Sequence, residues 1–262
     1  MRCLTRVAPR VFYSSVSTGH LANQKACLVV GAGDALGGAI ARRFAQEGYE
    51  ACVVRRNGDK LGELVESIRD AGGQATPYGV DARVEEAVST LVSSIEQKAP
   101  IEVCVHNIGA NVRFSVADTT ARVYRKTWEM VAMSAFLVGR EVSKRMIERG
   151  RGTLIFTGAT ASVRGGAQFC AFAGAMHGKR ALAQSMAREL GPSGVHVAHV
   201  VIDGAIDTPW VRSNFPEMAA KASAVEGLLL PDAVAESYWQ LHAQPRNAWT
   251  HELDLRPYRE TW

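Results

Sequence analysis

The chain has no acidic residue before Asp34, no long apolar run, and no cysteine pair spaced for metal or redox chemistry. A membrane helix needs roughly 18 uncharged apolar residues in succession, and no stretch here approaches that length. The five cysteines, Cys3, Cys27, Cys52, Cys104 and Cys170, lie far apart with no CxxC and no metal-ligand spacing. Three of them fall inside apolar runs and read as small buried hydrophobes. Aromatics amount to 7% of residues and form no cluster with basic ones. The net charge is +4, and Arg2, Arg6 and Arg10 stand in an acid-free start, so the rest is close to neutral. Together these features give no electrostatic case for nucleic acid.

What is present begins with MRCLTRVAPRVFYSSVSTGHLANQ, a basic, hydroxyl-rich opening. Its arginines recur every four residues, with Leu4, Val7 and Val11 between them. That pattern suits a mitochondrial presequence over residues 1–24 and predicts the matrix, with a disordered cytosolic tail as the alternative. Pro9 limits any helix there, and Arg10 followed by Phe12-Tyr13-Ser14 is similar to a matrix-protease cleavage region. No 7-residue apolar core precedes a small-residue cleavage site, which argues against secretion.

From Lys25 onward, β-prone and helix-prone segments alternate. Ala26–Val30, Ala51–Val54, Gln74–Val80 and Ile101–His106 read as strands, separated by helical patterns over Leu36–Gly48, Asp59–Asp70 and Glu85–Lys98. The second half repeats this, with helices over 121–149, 170–190 and 231–242 and strands over Thr153–Thr157, Val195–Ile202 and Glu252–Leu255. Near-continuous apolar strands alternating with helices predict an α/β fold, a doubly wound parallel sheet of the Rossmann kind. No linker, repeat or low-complexity tract interrupts residues 25–262, which predicts a single domain.

The turn after the first strand reads Gly31-Ala32-Gly33-Asp34-Ala35-Leu36-Gly37 and opens a helix. Glycines there let backbone approach a pyrophosphate, and a helix N-terminus supplies free N–H groups. With this turn in place, the chain from Lys25 resembles the short-chain dehydrogenase/reductase family, whose glycine motif is spaced GxxxGxG. The middle glycine is Ala35 here, and Asp34 adds a negative charge beside the phosphates. The resemblance implies that Gly31, Gly33, Leu36 and Gly37 cradle a dinucleotide, and that Arg55 and Arg56 read its adenosine ribose. Arginines there favour the 2′-phosphate of NADP(H) over the 2′-hydroxyl of NAD(H). It further implies Asp81 near the adenine amino group, and Asn107 and Gly109, within His106-Asn107-Ile108-Gly109, near the adenine ribose. Ile206 would face the nicotinamide amide and Thr208 its phosphate, in a segment where Asp203 replaces a proline. His106, alone at a strand end, reads as structural.

The family's hydride transfer uses Asn, Ser, Tyr and Lys, with Tyr and Lys four apart on one helix. The lysine lowers the tyrosine's pKa, the tyrosine exchanges a proton with the substrate oxygen, and the serine polarises it. On this alignment the four positions hold Val131, Ala159, Phe172 and Met176. Thr157, Thr160 and Ser162 are the nearest hydroxyls, and Lys179, one turn past Met176, is placed to reach the ribose. The segment Phe156–Ser162 and the tail Ala248–Pro257 are similar to a subgroup that carries Phe for the tyrosine and keeps the lysine. No catalytic residue is therefore assigned.

Two readings stand. One is an NADP(H)-dependent oxidoreductase homologue of mitochondria with weak, altered or absent hydride transfer. The other is a non-catalytic Rossmann subunit or assembly factor of a mitochondrial complex, with or without bound nucleotide. Family members pair as dimers or tetramers through the helices that fall at 121–149 and 170–190, so the resemblance implies a homo-oligomer or a subunit. Residues 204–230 would cover a substrate, and their apolar mix names none.

Overall fold

Along Ala26–Val30, successive side chains go to opposite faces, and both faces are covered: Cys27 and Val29 join one core, Ala26, Leu28 and Val30 the other. That is why the strand reads as an unbroken apolar run, and why cysteine is tolerated there. The computed structural model describes residues 24–260. The expected presequence, apart from Gln24, lies outside the described residues.

The chain runs β1 (Lys25–Val30), α1 (Leu36–Gln46), β2 (Tyr49–Arg55), α2 (Gly62–Asp70), β3 (Gln74–Gly79), α3 (Glu85–Glu96) and β4 (Ile101–His106). It continues with α4 (Ala121–Trp128), α5 (Ser134–Arg149), β5 (Gly152–Thr157), α6 (Cys170–Leu190) and β6 (Val195–Ile202). Two short helices, α7 (Pro209–Asn214) and α8 (Pro216–Ser223), precede α9 (Pro231–His242) and β7 (Glu252–Leu255). The sheet order is β3-β2-β1-β4-β5-β6-β7, with every neighbouring pair parallel. This is the doubly wound arrangement expected, with α1, α2 and α9 on one face and α3, α5 and α6 on the other.

Two local features depart from the sequence reading. The helical pattern over 121–149 is divided by a π-helical segment, Glu129–Met133, where the Ser134 hydroxyl donates to the Met130 carbonyl at 2.5 Å. Such segments re-aim side chains within an otherwise regular helix. The region after β6 contains α7 and α8, each opened by a proline at its first turn.

α9 closes one core. Phe44 of α1 meets Tyr49 and Trp239 edge-on, and Arg43 lies over the Trp239 ring while pairing with Glu236 at 2.6 Å. His242 is bracketed by two hydroxyls, Tyr49 at 2.7 Å on Nε2 and Thr153 at 2.8 Å on Nδ1. On β6, His199 is fully buried with Nδ1 at 3.0 Å from Glu252, which Arg180 of α6 also grips through two bonds of 2.7 Å. Burial pulls both histidines down to about 4 from the ordinary 6.5. Between about pH 6.5 and 4 the unfolded chain therefore binds protons that the folded chain refuses. Stability should fall through that window by about 1.4 kcal/mol per pH unit for each histidine. Urea midpoints at pH 7 and pH 5 check this, and a His242→Gln variant should show the shallower loss.

Candidate functional site

The strand order reverses between β1 and β4, so the connections leaving their carboxyl ends diverge and open a crevice. Gly31 takes φ +95°, and a Cβ there would lie 2.6 Å from the Asn107 carbonyl oxygen. A Cβ on Gly37 would overlap the Gly31 carbonyl. Only glycine fits both positions, because the turn is pressed against the end of β4. Asn107 fastens that contact, its side-chain amide donating to the Gly31 carbonyl at 3.1 Å. No side chain caps α1 at Ala35, so the first backbone N–H groups of the helix remain for an acceptor in the crevice.

The crevice forms a cavity of about 450 Å³ bordered by Gly31, Gly33, Leu36, Gly37, Asn107, Gly109, Ile206 and Thr208. A smaller hollow of about 180 Å³ adjoins it at Gly31 and Ile108 and holds Arg55, Arg56 and Asp81. The fold thus gathers all eleven expected cofactor positions around two connected depressions. Arg55 reaches to 3.8 Å from Asp34, while Arg56 is exposed. Thr208 also opens α7, accepting from the Val211 N–H at 3.0 Å.

Sequence reasoning missed Arg83. Its Nε and Nη2 donate to the two Asp81 carboxylate oxygens at 2.9 and 2.6 Å, and its backbone N–H adds a third bond at 3.1 Å. Those bonds hold the Asp81 carboxyl below the usual range. The available signal was the Asp-x-Arg spacing just ahead of a helix, a local turn that the aspartate side chain organises. Met130 of the π segment borders the same hollow and also packs against the cluster in which its neighbour Val131 is buried with Phe172, Ala173 and Met176.

At the opposite end, the large cavity is walled by Thr157, Ala159, Phe172 and Met176. Asp34, at the end formed by the glycine turn, is the one titratable residue among the described residues that line it. The neighbouring hydroxyls are already engaged. Thr157 shares a 2.8 Å hydrogen bond with Tyr238, Thr160 donates to Asp203 at 2.5 Å, and Ser162 accepts from the Ala159 N–H at 3.1 Å.

Lys179 corrects an expectation. It does not enter the cleft: it is wholly buried, and its Nζ donates to the backbone carbonyls of Ile108 at 2.6 Å and Thr157 at 3.0 Å. A step of three residues past Met176 directs the stem beneath the ends of β4 and β5. Burial pulls its pKa down to about 7. His106 is equally buried, with Nε2 at 2.9 Å from the Ser134 hydroxyl, and takes a structural place. Among the described residues no group of histidine, cysteine and acidic side chains is arranged to hold a metal, and no helix is long and apolar enough to cross a membrane.

Residues 25–219 match the family described as short chain dehydrogenase. A short-chain dehydrogenase/reductase of Hericium erinaceus, eriH, is 32% identical over 194 residues, covering 72% of this chain and 77% of that protein. One from Armillaria gallica is 30% identical over 236 residues, covering 85% and 88%. The crystal structure of a short-chain dehydrogenase from Rhodopseudomonas palustris superimposes with a TM-score of 0.78 at 45% identity, covering 89% of this chain and 99% of that one. With the strand order, the glycine turn and the crevice at the switch point, these likenesses place the chain in the short-chain dehydrogenase/reductase family of oxidoreductases.

Proposed function

We propose that this chain is an NADP(H)-binding homologue of the mitochondrial matrix in which the Asn/Ser/Tyr/Lys tetrad has been replaced, leaving hydride transfer to carbonyls weak, altered or absent. The observation that carries this reading is the wall of Ala159, Phe172 and Met176, which offers the nicotinamide end of the cleft neither an acid nor a base. Losing a positioned proton donor commonly costs on the order of 10²–10⁴ in rate. Acceptors needing little acid assistance, such as conjugated alkenes and quinones, are the substrates best suited to such a wall.

The cradle fits a dinucleotide. The Gly31–Gly37 turn and the uncapped start of α1 would hold the pyrophosphate, Arg55 and Arg56 the 2′-phosphate, and Asn107 and Gly109 the adenine ribose, while Ile206 and Thr208 flank the nicotinamide. When bound, the nucleotide would supply or accept the hydride, and the residues of the cleft would orient it. A metagenomic short-chain oxidoreductase solved with NADP and an actinorhodin polyketide ketoreductase solved with NADPH share the fold, as does a 7α-hydroxysteroid dehydrogenase solved with NADH. The presequence reading of residues 1–24 supports the matrix.

Fluorescence titration of the chain from residue 14 onward with NADPH and NADH tests this. Saturable binding that favours NADPH is expected, and Arg56→Ala should weaken NADPH about tenfold while sparing NADH. No binding of either nucleotide at millimolar concentration would sink the proposal. A second reading, a non-catalytic subunit or assembly factor of a mitochondrial complex, is favoured by the exposed Val116, Tyr124, Trp128 and Phe136 around α4 and α5. The same surface suits a homo-oligomer. Co-sedimentation of the native protein as a small oligomer or within a large particle separates the two.

A further inference from the structure

A second cavity, of about 520 Å³, opens beside the Ala159–Phe172 wall and shares Ile202 and Gly204 with the cofactor cleft. Its walls are apolar, formed by Ala161, Phe169, Phe172 and Ile202, and the polar side chains on it are Asn111, Thr160 and Arg164. No carboxylate lines it among the described residues. The nearest, Asp203, is 4% exposed and already committed: it accepts from Thr160, lies 3.7 Å from Arg256 and 4.0 Å from Arg164.

That arrangement decides which chemistry the cavity can satisfy. The Thr160 hydrogen is spent on Asp203, so Thr160 offers a ligand only lone pairs. Arg164 donates no side-chain hydrogen bond to the described residues, its separation from Asp203 is too long for one, and its side chain is 50% exposed. A planar guanidinium with free donors at the edge of an apolar hollow matches a carboxylate in two-bond geometry. An amine would meet Arg164 and no carboxylate on the lining. The segment that carries Phe169 is tied in place. Arg113 donates to the Gln168 side chain at 2.6 Å and lies over the Phe169 ring, and the Phe114 N–H bonds the Gln168 carbonyl at 2.9 Å. Arg164 is the one charged side chain among the described residues that line the cavity.

We infer that this cavity binds an apolar monocarboxylate, with Arg164 gripping the carboxylate and Phe169 and Phe172 covering the hydrocarbon. The inference rests on the cofactor reading for its functional meaning, since the shared wall is what would bring such a ligand to the nicotinamide. Its binding chemistry rests on the cavity alone.

Calorimetric titration of the full chain with 2-naphthoate and with the uncharged 2-naphthamide separates charge from shape. The acid should bind about tenfold or more tightly than the amide. Arg164→Gln should erase that difference by weakening the acid alone, and Arg164→Lys should keep part of it. Equal affinities for acid and amide in the unaltered protein would overturn the inference. So would a preference that survives Arg164→Gln, or no binding of either compound at millimolar concentration. Arg164 does not border the nucleotide hollows, so NADPH affinity should be unchanged in Arg164→Gln. An acid preference without nucleotide binding would break the cofactor reading and leave this one standing; nucleotide binding without an acid preference would do the reverse.

Discussion

Carbonyl reduction should rise by roughly 10²–10⁴-fold in the triple variant Ala159→Ser, Phe172→Tyr, Met176→Lys. The three positions already border one cavity, and 172 and 176 lie one helical turn apart on α6. A phenol placed at 172 would enter the space that the Phe172 ring now walls, with a hydroxyl at 159 beside it and an amine at 176 to lower the phenol's pKa. The readout is NADPH oxidation over a panel of ketones and quinones, with circular dichroism and NADPH affinity as controls. A variant that folds, binds NADPH and gains nothing would show that the missing side chains are not what limits the rate.

The unaltered protein should also become more stable with rising pH, by roughly 3 kcal/mol between pH 7 and 9.5, relative to a Lys179→Met variant. Lys179 titrates at about 7 when folded, against 10.5 when exposed. Its folded pKa is depressed, so across that window the unfolded chain holds a proton that the folded chain has given up. The slope ∂ΔG/∂pH is then positive, near 1.4 kcal/mol per unit. Below pH 7 the amine is charged in both states and the slope vanishes. Met has no such titration, although it leaves the Ile108 and Thr157 carbonyls without their donor and lowers the whole curve. Urea unfolding of both proteins at half-unit steps of pH reads the difference. Parallel curves would mean that Lys179 reaches water in the native state.

The strands and the glycine turn were legible in the sequence because their physics is local. A strand covered on both faces must be apolar throughout, and a turn crushed against its neighbour must be glycine. Gly31 and Gly37 meet that second condition through contacts that a single methyl group would break. What was not legible depends on partners far along the chain. Nothing in the pattern over 121–149 marks the π segment, which carries both Met130, on the hollow of Arg55, Arg56 and Asp81, and Val131, in the Phe172 cluster. Lys179 sits at a helical step that suits either the cleft or the floor beneath it. The two backbone carbonyls that claim it come from Ile108, just past β4, and Thr157, at the end of β5, which lie 71 and 22 residues away. α7 and α8 escaped notice because each is short and opens on a proline, a residue that reads as a break until the fold shows it starting a turn. The Asp203 network was hidden for the same reason as Lys179: Thr160, Arg164 and Arg256 meet it only in three dimensions.

The seating of α9 sets an order of events during synthesis. Phe44, Tyr49 and Val53 share their core with Val234, Tyr238 and Leu241, so the part of that face left open by α1 and α2 is not covered until nearly the last residues have been made. At about 5–20 residues per second, that interval is roughly 10–40 s. For that time the nascent chain carries an uncovered apolar surface, which makes it a natural client for chaperones that hold chains on the ribosome. A message cut short before codon 231 would yield a product that never covers that surface, and proteolysis rather than a smaller folded protein is its expected fate.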